Sequence, residues 1–302
     1  MKLSTEDFVL LPGYAVIVVI GIIGNFLILA VVKRERYMHT TTNFLLANLA
    51  LADLLTLLWC IPGILLKDLI THPNGLLGDI LCKFVTMQHM AGISLLVAGL
   101  TLTLVSVERY NALVNPLNAS LRLTKENVKY PIVAMWMFAF IFVLPLFVFE
   151  DWDEMQNRCI MLWKKPSATI YWSILTLIVF LAFVLVCFCY LNIIRGLYFI
   201  KQICAESLKC CSEEEMQAKR KIVKLSITIT VIFLVCFFPF VVATVSDKIS
   251  AEDVFYKIAY FLVYCSCCVN PICYAVQSTN YRNAFRETIR KRSTTKQTEQ
   301  AV

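Results

Sequence analysis

Three groups of polar residues sit where a lipid bilayer should reject them. They are Asp53 within one long apolar stretch, Glu108-Arg109-Tyr110 at the end of another, and Asn270-Pro271-Ile272-Cys273-Tyr274 inside a third. A carboxylate at membrane depth costs a few kcal/mol unless it finds polar partners, so such residues mark function by default. Asp53 is therefore expected to hold amides such as Asn25 and Asn270, or a bound cation. Asn270 and Tyr274 are four residues apart and share a helix face, while Pro271 frees a backbone carbonyl and permits a kink. Pro239 does the same in its own stretch. Kinked helices give a bundle two alternative packings, which is what a switch requires. The chemistry on offer is electrostatic gating rather than bond making: no nucleophile and base share a cleft-facing pattern, so no enzyme is expected.

The elements that must position these groups follow from composition. Of 302 residues, 59% are hydrophobic and 16% charged, whereas a soluble domain is about half apolar and a quarter charged. About 20 apolar residues cross a hydrocarbon core, and seven stretches meet that length: 12–32, 43–66, 81–110, 130–149, 168–198, 222–246 and 254–277. All are predicted as helices, because backbone hydrogen bonds must close internally in lipid and the alternation of barrel strands is missing. The fold class is thus an all-α membrane protein, a seven-transmembrane helix bundle. Its parts are a tail over residues 1–11, a bundle over 12–277, and a segment over 278–302. No repeat is evident, and an odd number of spans argues against a duplicated transporter.

Charge sets the orientation. With the N-terminus outside, that side holds eight Lys and Arg against eleven Asp and Glu, and the opposite side twenty against nine. Positive residues stay in the cytoplasm, so the N-terminus is expected outside and the C-terminus inside. The net charge of +7 is then a topology signal and implies no nucleic acid. Glu6 and Asp7 before the first apolar run argue against a cleaved signal peptide. Of thirteen cysteines, eight lie in spans as packing residues and Cys204, Cys210 and Cys211 in a cytoplasmic loop, Cys210-Cys211 being candidates for palmitoylation. Only Cys82 and Cys159 are left on the oxidising side, where they should form a disulfide.

These marks, in this order, resemble those of a rhodopsin-like, class A G-protein-coupled receptor from Gly24-Asn25 to Phe285. Further members of the set are Leu49-Ala50-Leu51-Ala52-Asp53, Trp136, Tyr190 and Cys236-Phe237-Phe238-Pro239. Asn280-Tyr281-Arg282-Asn283-Ala284-Phe285-Arg286 is similar to the short amphipathic eighth helix that rests on membrane lipid. The resemblance implies a plasma-membrane receptor that binds an extracellular ligand and activates a heterotrimeric G-protein. Glu108, Arg109, Tyr110, Tyr190, Phe233, Phe237, Pro239, Asn270, Pro271 and Tyr274 would form the coupling switch, with Arg109 held by Glu108 until released. Asn25, Asp53 and Asn270 would form the polar core, where a sodium ion is the one cofactor to consider. The chain departs from the pattern in several places. Cys82 stands two residues further from Arg109 than usual, so extra length or a bulge is expected there. Ala182 replaces a proline and Phe237 a tryptophan, Ala98 and Cys267 replace sodium-binding serines, and Lys219 stands where many relatives place a second clamp on Arg109.

For the ligand, the sequence is less explicit. Ala91, or His89 counted from Cys82, occupies the place of an amine receptor's acid, which disfavours a biogenic amine. Tyr264 stands where an opsin has its lysine. With Met38-His39-Thr40-Thr41-Thr42-Asn43 resembling neuropeptide receptors, a peptide ligand is expected, and His89, Ala91, Phe237, Phe238, Tyr260 and Tyr264 are the expected pocket residues. Glu150, Asp151, Asp153 and Glu154 either attract a basic peptide or form a solvated acidic loop. His39 and His72 are expected to be solvated; His89 either lines the pocket or packs as a polar group in the bundle. Asn118-Ala119-Ser120 fits the glycosylation pattern on the wrong side of the membrane, and Ser293, Thr294, Thr295 and Thr298 are candidate phosphosites for recruiting arrestin. The rival readings are a receptor that binds ligand without coupling to G-proteins, and a seven-helix channel or pump, which would want a continuous polar lining.

Overall fold

The computed structural model describes residues 5–65, 72–114, 122–156, 158–198, 213–246 and 253–288. Cys204, Cys210, Cys211, Asn118-Ala119-Ser120 and the four phosphosite candidates lie outside them. Among the described residues, seven helices are long and apolar enough to cross a membrane: Val9–Arg34, Thr41–Leu65, Leu76–Leu113, Lys129–Phe149, Pro166–Gly196, Arg220–Thr244 and Val254–Gln277. They are spans one to seven below. The seventh matches the sequence expectation residue for residue. The first does not: its helix begins at Thr5 and runs through Pro12, so most of the expected tail is helical.

Local chemistry sets several of the ends. Thr40 Oγ1 accepts the Asn43 N–H at 3.2 Å and caps the start of span two. Before span four, Thr124 N donates to Asn127 Oδ1 at 2.7 Å and Asn127 N donates back to Thr124 Oγ1 at 3.3 Å. After span seven, a short helix over residues 279–288 turns away. Arg282 Nη1 ties it back by donating to the Val276 carbonyl at 2.6 Å, one of the carbonyls a helix end leaves unpaired. Tyr281 is buried, stacks on Tyr274 with centroids 4.9 Å apart, and donates to Asn43 Oδ1 at 3.3 Å.

Span three is not one continuous helix. An α-helix over Leu76–Leu81 passes into a π-helical turn over Cys82–Thr86, and Gln88 follows with φ +61° before the main helix His89–Leu113. The two extra residues between Cys82 and Arg109 are taken up here. A second π-helical turn, Ile61–Leu65, ends span two and packs against the first. Such turns widen a helix locally and are frequent at functional sites.

Spans two and three form the centre of the bundle, and span seven closes it against spans one and six. The main core gathers Ile28, Leu45, Leu49, Val97, Leu102 and Tyr274. Spans four and five lie outside, with Phe140, Ile141, Phe180 and Leu181 exposed, as expected where lipid rather than water is the solvent. Within this core, Trp136 Nε1 donates to Asn48 Oδ1 at 2.9 Å, and Asn48 Nδ2 donates to Thr101 Oγ1 at 2.7 Å. Two side-chain bonds thus staple spans four, two and three.

A two-stranded hairpin follows span four: β1, Glu150–Asp153, pairs antiparallel with β2, Arg158–Met161, with Trp152 opposite Cys159. The disulfide Cys82–Cys159 fastens β2 to the top of span three. The sequence expectation held no strand. Eight residues around a tight turn carry too short an alternation to register against seven long apolar runs.

Candidate functional site

The polar residues of the opening analysis resolve into three connected regions. In the middle of the bundle Asp53, 2% exposed, accepts a 2.7 Å bond from Asn270 Nδ2. Asn25 was expected at the same carboxylate and is not there. Its amide donates to the Cys267 carbonyl at 2.8 Å and to the Gly21 carbonyl at 2.9 Å. The reason is Pro271: it has no N–H, so the carbonyl four residues earlier, that of Cys267, has no partner within its own helix. Asn25 supplies that partner from span one. Gly24 allows the approach, since a Cβ there would lie 2.6 Å from the Pro271 ring. The Cys267 thiol also contacts the Asp53 carboxyl group.

At one end of the bundle, hereafter the Arg109 end, Arg109 Nε lies 3.2 Å from Glu108 Oε2, and Thr42 Oγ1 donates to the same oxygen at 3.2 Å. Both charged side chains are mostly buried, at 14% and 13% exposure, and Arg109 Nε itself makes no well-formed hydrogen bond. Among the described residues Glu108 is the only acid paired with Arg109. Tyr190 is buried beside it in a cluster with Val186, Ile193 and Val223, against which Tyr110 packs. The Tyr190 hydroxyl bonds Thr230 Oγ1 at 3.1 Å, linking spans five and six. Tyr274 is buried, and its hydroxyl has no hydrogen-bond partner among the described residues.

At the opposite, hairpin end a cavity of about 690 Å³ opens between the spans. His89, Phe237 and Tyr260 line it, as expected. Three expected lining residues do not. Phe238 is 67% exposed on the outside of span six, because successive residues of a helix point about 100° apart and Phe237 already faces inward. Ala91 and Tyr264 are fully buried in helix packing. Tyr264 acts one layer out, donating its hydroxyl to Gln88 Oε1 at 2.7 Å. The cavity floor reaches Phe233 and Thr230, the latter being the partner of Tyr190. Phe233 and Phe237 stack at 5.4 Å, and ring contacts continue through Phe240 to Tyr260, Tyr264 and Tyr14.

The acids after span four do not form a uniformly solvated loop. Glu150 is 2% exposed and meets His89 Nε2 at 2.5 Å. Asp151 pairs with Lys83 at 2.6 Å, Asp153 Oδ1 accepts the N–H groups of Met155 and Gln156 in the hairpin turn, and Glu154 Oε1 accepts the Gly75 N–H at 2.7 Å. Glu150, Asp151 and Glu154 hold the hairpin to span three, and Asp153 shapes the hairpin's own turn. His89 therefore both lines the cavity and packs as a polar group. His72, expected in solvent, stacks on Trp152 at 4.4 Å, bonds Thr86 Oγ1 at 2.8 Å and has its pKa lowered by burial.

Sequence reasoning missed Gln88, Asn48 and Thr101. The rule that singled out Asp53 also reaches Asn48, another polar residue in the same span. Nothing in the sequence points to the conformation of Gln88.

The geometry places a cavity at one end, a polar core in the middle and a clamped arginine at the other end, and comparison with known proteins agrees with that plan. Somatostatin receptor type 5 of Bos taurus is 30% identical over 288 residues, covering 91% of this chain and 74% of that protein. Galanin receptor type 1 of Homo sapiens is 27% identical over 299 residues, covering 94% and 82%. Somatostatin receptor type 2 of Mus musculus is 26% identical over 298 residues, covering 94% and 78%. Residues 24–274, from within span one to near the end of span seven, match the sequence model of the 7 transmembrane receptor (rhodopsin family), and the chain belongs to that family.

Proposed function

We propose that this receptor takes a peptide into the cavity at the hairpin end, facing the cell exterior, and that its Arg109 end then engages a heterotrimeric G-protein in the cytoplasm and promotes nucleotide exchange. The observation that carries this reading is continuity. Phe233 and Thr230 form the cavity floor, and Thr230 is also bonded to Tyr190 beside Arg109. A ligand that shifts span six by a fraction of a turn therefore changes the packing around the clamp. The kink sites Pro239 and Pro271 give spans six and seven the freedom to move. The somatostatin and galanin receptors among its relatives support a peptide as ligand, and the excess of Lys and Arg on the Arg109 side supports that end as cytoplasmic. Segment 278–302 carries the lipid contact and the arrestin recruitment in the same reading.

A channel or pump is disfavoured by the cavity lining, which is dominated by Leu, Val and aromatic side chains rather than by a polar path. The test is guanine-nucleotide exchange on purified heterotrimers by the receptor in lipid nanodiscs, with and without a neuropeptide library. Exchange should rise with an active peptide and vanish in Arg109→Ala. Peptide binding with no exchange on any heterotrimer would instead support the non-coupling reading.

A further inference from the structure

The cavity reaches further round span three than a pocket at the bundle centre requires. Leu100 and Leu102 both line it, and at about 100° per residue they point about 160° apart around the helix. Leu102 is buried in the main core, whereas Leu100 is half-buried on the other side. One branch of the cavity therefore runs out towards spans four and five, where Phe142 and Val143 of span four and Ile178 and Ala182 of span five line it. Both spans pack on span three, yet their backbones come close to one another at almost no point. Near the hairpin end the gap is bridged: Tyr171 donates its hydroxyl to the Phe142 carbonyl at 3.3 Å, and the two rings stack at 5.1 Å. The lips of the gap are apolar and exposed. Phe138 lies one turn from Phe142, and Ile174 and Leu181 lie one turn to either side of Ile178. The lining of the branch thus continues onto faces that meet the hydrocarbon of the bilayer.

The chemistry of the branch narrows its occupant. Its polar side chains are Thr103 and Thr176, and each spends its hydroxyl on its own helix, on the Gly99 carbonyl at 2.9 Å and the Trp172 carbonyl at 2.8 Å. A peptide segment here would strand its backbone N–H and C=O groups, and water would lack the partners it needs. Left unfilled, the branch forfeits the dispersion contacts of its walls. An aliphatic chain needs no hydrogen bond, and the adjoining bilayer supplies one without any transfer out of water.

We propose that an acyl chain of a bilayer phospholipid enters between spans four and five, beneath the Tyr171–Phe142 bridge, and occupies this branch as a co-ligand beside the peptide cavity. Val186 lies at the lower end of the lining and packs with Tyr190, so the chain bears on the cluster beside Arg109. The assignment holds whichever ligand the main cavity takes and whether or not the receptor couples.

The experiment uses the full chain in nanodiscs of phosphatidylcholine doped with the same lipid carrying a diazirine, either at the chain end or next to the ester. Crosslinked residues are read by mass spectrometry, with exposed Phe140 and Phe180 as the surface reference. The chain-end probe should mark Leu100, Thr103 and Val186, and the ester-side probe should mark Tyr171 and Ile174 instead. Ala182→Phe fills the branch, so labelling of Leu100 and Thr103 should fall about tenfold or more relative to Phe180. Label confined to the exposed faces, or branch label unchanged in the variant, overturns the proposal. Should Ala182→Phe not fold, the wild type decides by depth: Leu100 and Thr103 marked equally by both probes, or by neither, overturns it. A sterol diazirine that marks Leu100 where the phospholipid does not would give the branch to a sterol and overturns it too.

Discussion

Replacing His89 with leucine strips the partner from a carboxylate that is 2% exposed. Removing the partner of a buried carboxyl group costs about 3–5 kcal/mol where the group is left charged and uncompensated. Two features of the structure place this case near the lower end. The cavity touches both side chains, so water can reach Glu150 in the variant. The ring contact of His89 with Phe147, centroids 4.9 Å apart, adds about 0.5–1 kcal/mol that leucine only partly replaces. A loss of about 3 kcal/mol is expected, roughly a hundredfold in the folded-to-unfolded ratio. The same logic makes His89→Leu combined with Glu150→Met mild, within about 1 kcal/mol of wild type, because no charge is then stranded. The assay is built into the molecule. Cys60, Cys189, Cys236, Cys267 and Cys273 are free and buried, so their labelling by a thiol-reactive dye on warming reports opening of the bundle. Single variants that lose less than about 1 kcal/mol, or a double variant that loses the sum of both, would refute the reasoning.

Other expectations can be checked in the same preparation. Glu108→Ala removes the only acid paired with Arg109 among the described residues, so ligand-free nucleotide exchange should rise; unchanged basal exchange in a well-expressed variant would count against the clamp. Asn48→Leu strands the Trp136 N–H and the Thr101 hydroxyl. At about 0.6 kcal/mol per interhelical bond, up to about 1.7, it should cost about 1–3 kcal/mol in the thiol assay, and Trp136→Phe about half of that. Gly24→Ala drives a methyl into the Pro271 ring and should cost about 1–3 kcal/mol by overpacking, whereas Gly92→Ala, with open space around its Cβ, should be silent. Asp151→Lys breaks the pair with Lys83 and reverses a charge at the hairpin end, so it should slow the association of a basic peptide modestly and change its salt dependence, read as binding kinetics at two salt concentrations.

The membrane-spanning fold was legible because lipid leaves so few choices. Seven runs of sufficient length must be helices, and a polar residue inside one must find a partner. Asp53 and Asn270 were readable on that rule alone. Asn25 was right in kind and wrong in address, since its partner depends on which carbonyl Pro271 leaves free and on how closely Gly24 lets span one approach. Phe237 and Phe238 were both placed in the pocket because helix phase beside Pro239 cannot be fixed from sequence to within one residue. The acidic loop was opaque for another reason. Glu150 and His89 are 61 residues apart and Glu154 and Gly75 79 apart, and nothing local reveals pairs that form only when the hairpin folds onto the bundle. Gln88 lay furthest out of reach, since its backbone conformation follows from the π-helical turn before it.

That turn has a consequence for how such a chain can change. Two residues inserted into a regular helix would swing everything beyond them by about 200°, since each residue advances the helix by about 100°. Such a rotation would carry either Cys82 away from Cys159 or Arg109 away from Glu108 and Tyr190. The wide turn at Cys82–Thr86 and the reversal at Gln88 absorb the surplus instead, so the disulfide and the arginine both keep their bearings. The break acts as a slip joint: the upper half of the molecule can be re-registered to suit a new guest while the lower half stays in step with its transducer. The cost of that freedom is concentrated in one strained glutamine at the boundary.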